Sequence, residues 1–149
     1  MGQIFLLSTG VILSLTAGAK LLSAFGDTKI LDFPDPLWGL SNRRLLFGAA
    51  LLEFASVLCF LGRMRVELKY LLSAWLGANF ILYRAANAVL NPGKPCPCLG
   101  TASERIHLSE ETASYLLSAL AVYMLFAGVA LYVQRSRSSA TSAASTKPA

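Results

Sequence analysis

Four long apolar runs divide the chain, and polar residues gather between them. The first extends from about Ile4 to Phe25 and is broken only by Lys20. The second, from about Leu45 to Leu61, contains Glu53; the third, from about Tyr70 to Leu90, contains Arg84. The fourth, from about Ala113 to Val133, has no formal charge. A helix needs roughly 20 residues to cross the hydrocarbon layer. Lipid offers no partner to backbone N–H and C=O groups, which favours helices over open strands. The pattern predicts an all-α, integral membrane four-helix bundle over residues 1–134. The fourth run carries that expectation furthest. The second, short and acidic, carries it least.

The connections fit the same reading. In "GDTKILDFPDPLWGLSNRR", Pro34 and Pro36 forbid a continuous helix, Trp38 suits an interfacial position, and Ser41 or Asn42 can cap the second helix. "GRMRVELK" is a short turn into the third. "NPGKPCPCLGTASERIH" separates the third and fourth runs, and "SEET" at Ser109 to Thr112 reads as a cap with acids in the first helical turn. After Val133 comes "QRSRSSATSAASTKPA", small and polar, so residues 135–149 are expected to form a disordered tail.

Composition sharpens this picture. The 149 residues are 55% hydrophobic and 14% charged, against about a quarter charged in soluble domains. The formal charge is +5, yet the basic residues lie at the ends of apolar runs and not in a stripe with interleaved aromatics. That suits membrane anchoring and argues against nucleic acid. "AGA" at Ala17 to Ala19 resembles a signal cleavage site. However, "MGQ" supplies no basic n-region and the apolar stretch is long, so the first span is expected to be retained. Four spans put both termini on one side, with Arg63, Arg65, Lys69, Arg135 and Arg137. The other side holds Lys29, Arg43, Arg44, Lys94 and Arg105 among six acids, nearly a tie in Lys and Arg. The tight basic link and the basic edge of the last helix favour cytoplasmic termini. Cys96 and Cys98 then face outward, where disulfides persist.

Cys96-Pro97-Cys98 is the sharpest chemical feature. Thiols at i and i+2 close only a small, strained ring, and strain makes a disulfide labile, suited to exchange rather than to stapling. Gly100 can take the left-handed conformation needed to turn back to the membrane. The plainer reading is two unpaired thiols, or a bridge to another chain. His107 alone completes no zinc set, so no metal site is expected; a solvated or capping role suits it. Cys59, near the far end of the second helix, reads as an inert thiol.

Lys20, Glu53 and Arg84 form a second constellation. Charges within spans are costly, usually paired and often functional. Asn79, Tyr83 and Asn87 follow i, i+4, i+8 spacing, giving the third helix a polar face beside Arg84. One reading is an ion pair and hydrogen bonds that hold the bundle. The other is a polar pocket beneath the cysteine segment, able to move protons or bind a quinone head group.

Taken together, "TAGAKLLSAF", "DPLWGLSNRRLLFGAALLEFASVL" and "CPCLGTASERIHLS" resemble the MauE/DoxX-like redox-associated membrane proteins. The shared features are a lysine late in the first helix, a "DP" linker, an acid in "LLE", and Cys-x-Cys-hydrophobe-Gly before the last helix. Pro97 and Leu99 stand where the family commonly has Gly and Phe, which leaves both thiols intact. The resemblance implies a four-helix protein of the bacterial inner membrane, tied to thiol or disulfide handling. A thioredoxin-like or disulfide-containing periplasmic partner is implied, with quinone as a cofactor of more distant relatives. The expected function is thiol/disulfide exchange at Cys96 and Cys98, with electrons passing to a quinone near Lys20, Glu53 and Arg84. The alternatives are a non-catalytic scaffold or assembly factor, or a small proton-linked carrier.

Overall fold

The computed structural model describes residues 2–26, 29–32, 34–35, 37–90 and 109–145. The chain is all-α: α1 (Gly2–Ala24), a 3-10 turn (Lys29–Asp32), α2 (Asn42–Leu61), α3 (Val66–Leu90) and α4 (Glu110–Ser145). Antiparallel α1 and α2 pack as one pair, antiparallel α3 and α4 as another, and the two pairs touch more lightly. Leu13, Phe60, Leu76 and Met124, one from each helix, meet in a single apolar cluster that joins the pairs. The end where α1 and α3 begin is the terminal end; the other is the loop end.

Small residues set the closeness of α3 and α4. A Cβ on Gly77 would stand 2.6 Å from the Ala121 carbonyl oxygen and 2.7 Å from the Leu125 nitrogen. One on Gly128 would stand 2.9 Å from the Tyr70 oxygen and 3.0 Å from the Ala74 nitrogen. Backbones approach this closely only where side chains are absent, which is how helices gain packing energy in lipid. At the terminal end, Phe5 lies 6.2 Å from the Tyr70 ring and edge-on to Tyr123 at 5.4 Å.

The outside of the bundle is apolar. Ile4, Leu7, Val11, Leu15 and Leu22 of α1 are exposed, as are Leu116, Phe126 and Val129 of α4. Soluble monomers rarely show so continuous an apolar surface, whereas lipid covers it without cost. Among the described residues, α1, α2 and the Ser114–Ser138 part of α4 are long and apolar enough to cross a membrane. This is a small helical, multi-pass membrane protein. Two expectations shift here. α2 meets the requirement although Glu53 sits in it, because the rest of the helix is strongly apolar. α3 is as long, but carries Asn79, Arg84 and Asn87 and is not among these candidate spans.

Helix ends are closed by their neighbours. Arg43 donates to the Ala24 carbonyl at 3.1 Å, and Lys69 donates to those of Phe60 at 2.6 Å and Gly62 at 2.8 Å. Cations at C-terminal carbonyls satisfy otherwise orphaned acceptors and complement the helix dipole. Ser109 caps α4 as its sequence suggests, accepting from the Thr112 N–H at 3.2 Å. Ser41 occupies the N-cap of α2, but its hydroxyl makes no capping bond; its carbonyl accepts from Arg44 and Leu45 instead. α4 continues as helix through Ser145 into the stretch expected as tail, and Arg135 pairs with Glu67 at 3.6 Å on the surface. Extending a helix already nucleated costs little.

Candidate functional site

The mid-bundle charge is a closed pair. Glu53 stands near the centre of α2, fully buried, and its Oε1 forms an ion pair and hydrogen bond with Nζ of buried Lys20. The Thr16 hydroxyl lies 3.1 Å from Glu53 Oε2, and Lys20 Nζ sits 5.5 Å from the centroid of the Phe80 ring. Side chains of a helix lean toward its N-terminus. That tilt aims Lys20 inward along α1 toward Glu53, where snorkelling to the nearer loop end would have separated them. The result links α1 to α2 by charge and to α3 through a cation–π contact. Each charge has the other as its counter-charge, and both are buried inside the bundle. The groove of about 300 Å³ between α1 and α2 is lined by apolar and small residues, including Leu6, Gly10, Ser14, Val57 and Phe60. Neither Lys20 nor Glu53 lines it.

Arg84 takes a different partner. One guanidinium nitrogen, Nη2, donates to Ser114 Oγ on α4; the other, Nη1, is buried with no acceptor among the described residues. Of the three residues read as one polar pocket, the structure brings together Lys20 and Glu53 and directs Arg84 across to α4. The polar face of α3 also divides. Asn79 is exposed and bonds back to the Trp75 carbonyl at 2.8 Å, whereas Asn87 is buried. Eight residues at i+4 spacing rotate by about 80° around a 3.6-residue helix, enough to carry Asn79 and Asn87 to different surroundings.

Asp35 is the buried group that sequence reasoning passed over. It is 1% exposed and lies in the linker between α1 and α2. Its Oδ1 accepts from the backbone N–H of Leu37 at 2.9 Å and Trp38 at 3.1 Å; its Oδ2 accepts from the Tyr83 hydroxyl at 2.7 Å. A backbone bridge between Pro34 and Ser41, the Asp35 N–H to Leu40 carbonyl bond at 2.7 Å, and Gly39 at φ 63° complete the turn. Only glycine takes that φ at little cost. Asp before Pro initiates turns by this self-bonding, a signal legible in "DPLWG". What the sequence could not supply was Tyr83, 48 residues away. The turn thereby locks onto α3 at the loop end. Tyr83→Phe should cost about 1.5–3 kcal/mol, the worth of a hydrogen bond to a charged group. Unfolding of the Asp35→Ala, Tyr83→Phe and double variants should show coupling; strictly additive losses would mean that the bond contributes nothing.

Cys59 is free and partly buried in α2 near the terminal end. Cys96, Cys98, Gly100 and His107 lie outside the described residues; their segment joins Leu90 to Ser109, both at the loop end. No protein-family model matches the chain, and no curated protein or solved structure is significantly similar to it.

Proposed function

We propose that the chain is a membrane-embedded thiol/disulfide exchange protein, working through Cys96 and Cys98 on the extracytoplasmic side of a bacterial inner membrane. One observation carries this reading. The described residues that flank the cysteine segment, Leu90 and Ser109, both lie at the loop end, whereas the third cysteine, Cys59, lies near the terminal end of α2. The basic residues Arg63, Arg65, Lys69, Arg135 and Arg137 all belong to the terminal end, which supports cytoplasmic termini. In the exchange, a thiolate of a thioredoxin-like partner attacks one sulfur of the Cys96–Cys98 disulfide and displaces the other as thiolate. A second partner thiol then attacks the mixed disulfide. The partner leaves with a new disulfide, and two electrons remain on Cys96 and Cys98 as thiols. The reverse direction uses the same intermediate.

A scaffold reading is favoured by one feature, the buried Lys20–Glu53 ion pair, which joins α1 to α2. Labelling of intact cells with a membrane-impermeant maleimide separates the two. Exchange predicts that Cys96 and Cys98 label only after mild reduction, that Cys59 stays protected, and that Cys98→Ser traps a mixed disulfide. Full labelling of both thiols without reduction, with no trapped partner, would leave the scaffold.

A further inference from the structure

We propose that the turn between α2 and α3 binds anionic phospholipid, Arg63 and Arg65 taking the headgroup phosphates at the terminal end of the bundle. The first observation is a charge imbalance. Arg63, Arg65, Lys69, Arg135 and Arg137 gather at the terminal end, and of the chain's 8 acids only Glu67 belongs there. Glu53 lies inside the bundle. The others fall between Asp27 and Asp35 or between Glu104 and Glu111, in or beside the connections of the opposite end. Residues 139–149, which follow the basic edge of α4, contain no Asp or Glu.

The cations are not equally engaged. Lys69 donates to the Phe60 and Gly62 carbonyls, and Arg135 pairs with Glu67. Arg63 and Arg65 are exposed, and no described carboxylate lies within 4.0 Å of either. A guanidinium stays charged in any protein and offers a planar fork that matches two oxygens of a phosphate.

Depth and neighbours make the partner a lipid. α2 has 20 residues, about 30 Å of helix, which equals the hydrocarbon thickness of roughly 30 Å. Its last residue, Leu61, therefore reaches the boundary, and the turn after it emerges among the headgroups. Apolar side chains alternate with the arginines there: Leu61, Met64 and Val66 are all exposed. An acidic protein or a nucleic acid would engage the arginines and leave these three uncovered. A leaflet takes both kinds, acyl carbon for the apolar side chains and phosphate for the guanidinium groups. Each cation held near an anionic leaflet strengthens binding about fivefold.

The test is native mass spectrometry of the detergent-purified full chain. It is titrated separately with phosphatidylglycerol, phosphatidylcholine of the same acyl chains, and a short single-stranded oligoribonucleotide. Phosphatidylglycerol should bind at least about fivefold more tightly than phosphatidylcholine. Arg63→Gln and Arg65→Gln should each lower phosphatidylglycerol affinity by about two- to fivefold and leave phosphatidylcholine unchanged. Met64→Ser should weaken both lipids by the same factor. In the unmodified chain, a roughly tenfold rise in ionic strength shortens the screening length about threefold and should bring the two lipids toward equal affinity. That arm needs no variant to fold, and a preference that persisted unchanged would overturn the site. Equal affinity for the two lipids at low ionic strength would overturn it as well. Arg44→Gln, at the loop end, weakening phosphatidylglycerol as far as Arg63→Gln does would overturn its placement. An oligoribonucleotide bound more tightly than phosphatidylglycerol would assign the turn to nucleic acid instead.

Discussion

Glu53→Leu will lower the thermal midpoint of the detergent-purified protein by roughly 6–20 °C, whereas Glu53→Leu combined with Lys20→Met will restore most of it. The single change leaves Lys20 buried beside the Phe80 ring without its carboxylate, and takes from the Thr16 hydroxyl its Glu53 partner. Breaking one side of a buried pair costs about 3–5 kcal/mol, because the surviving charge keeps its desolvation penalty and loses its attraction. Removing both charges removes both penalties, and a well-packed apolar pair is often equal or better in stability. Lys20→Met alone should be damaging for the same reason, leaving a carboxylate with Thr16 as its one remaining bonded partner. Single and double variants with simply additive losses would show that Lys20 and Glu53 act independently, contrary to their geometry. The cycle also bears on function. If the exchange proposed for Cys96 and Cys98 is measurable and survives in a double variant that folds, the pair is structural.

The second large effect belongs to Gly77. Gly77→Ala should destabilise by about 1–3 kcal/mol and Gly77→Leu by more, since overpacking forces shifted backbones. The new Cβ would meet main-chain atoms of α4 at 2.6 and 2.7 Å, and main chain cannot swing aside as a flexible side chain can. Gly48 provides the opposite sign from the same chemistry. A Cβ there meets nothing within 4 Å, so Gly48→Ala should only limit the unfolded chain and stabilise by about 0.5–1 kcal/mol. Thermal midpoints of the two alanine variants, measured side by side, should therefore move in opposite directions. If Gly77→Ala rose with Gly48→Ala, the close α3–α4 approach would be wrong.

What the sequence made legible was whatever depends on near neighbours or on bulk polarity. Apolar runs located α1, α2, α3 and the start of α4 to within a few residues, and the Ser109 cap was readable because it bonds three residues ahead. Lys20 and Glu53 were recognisable as costly, hence worth pairing. Their pairing with each other, and not with Arg84, depends on which way each side chain leans from its helix. Tyr83 illustrates the other limit: nothing near it in sequence indicates that it bonds Asp35. Asn79 was misassigned to a shared face because i+4 spacing drifts around the helix. The reach of α4 to Ser145 was missed because a polar, small-residue stretch reads as tail unless one knows that an established helix precedes it.

The closing of α1 by Arg43 has a consequence for synthesis. Arg43 is the second residue of α2, so the last carbonyls of α1 gain their cap almost as soon as the next helix starts to form. A lone α1 entering the bilayer would carry the Lys20 ammonium without its counter-charge, at a cost below the roughly 2.5–3.5 kcal/mol of a charge at the helix centre because Lys20 lies toward the loop end. Glu53 arrives 33 residues after Lys20 and cancels that charge. The nascent chain is thus best delivered to lipid as a hairpin, α1 held at the insertion machinery until its acidic partner has been translated. α3, which is not among the candidate spans, then has a finished surface to dock against, and α4 follows with its own strong insertion signal. Translational pausing that separates α1 from α2 should accordingly harm assembly more than a pause between α2 and α3.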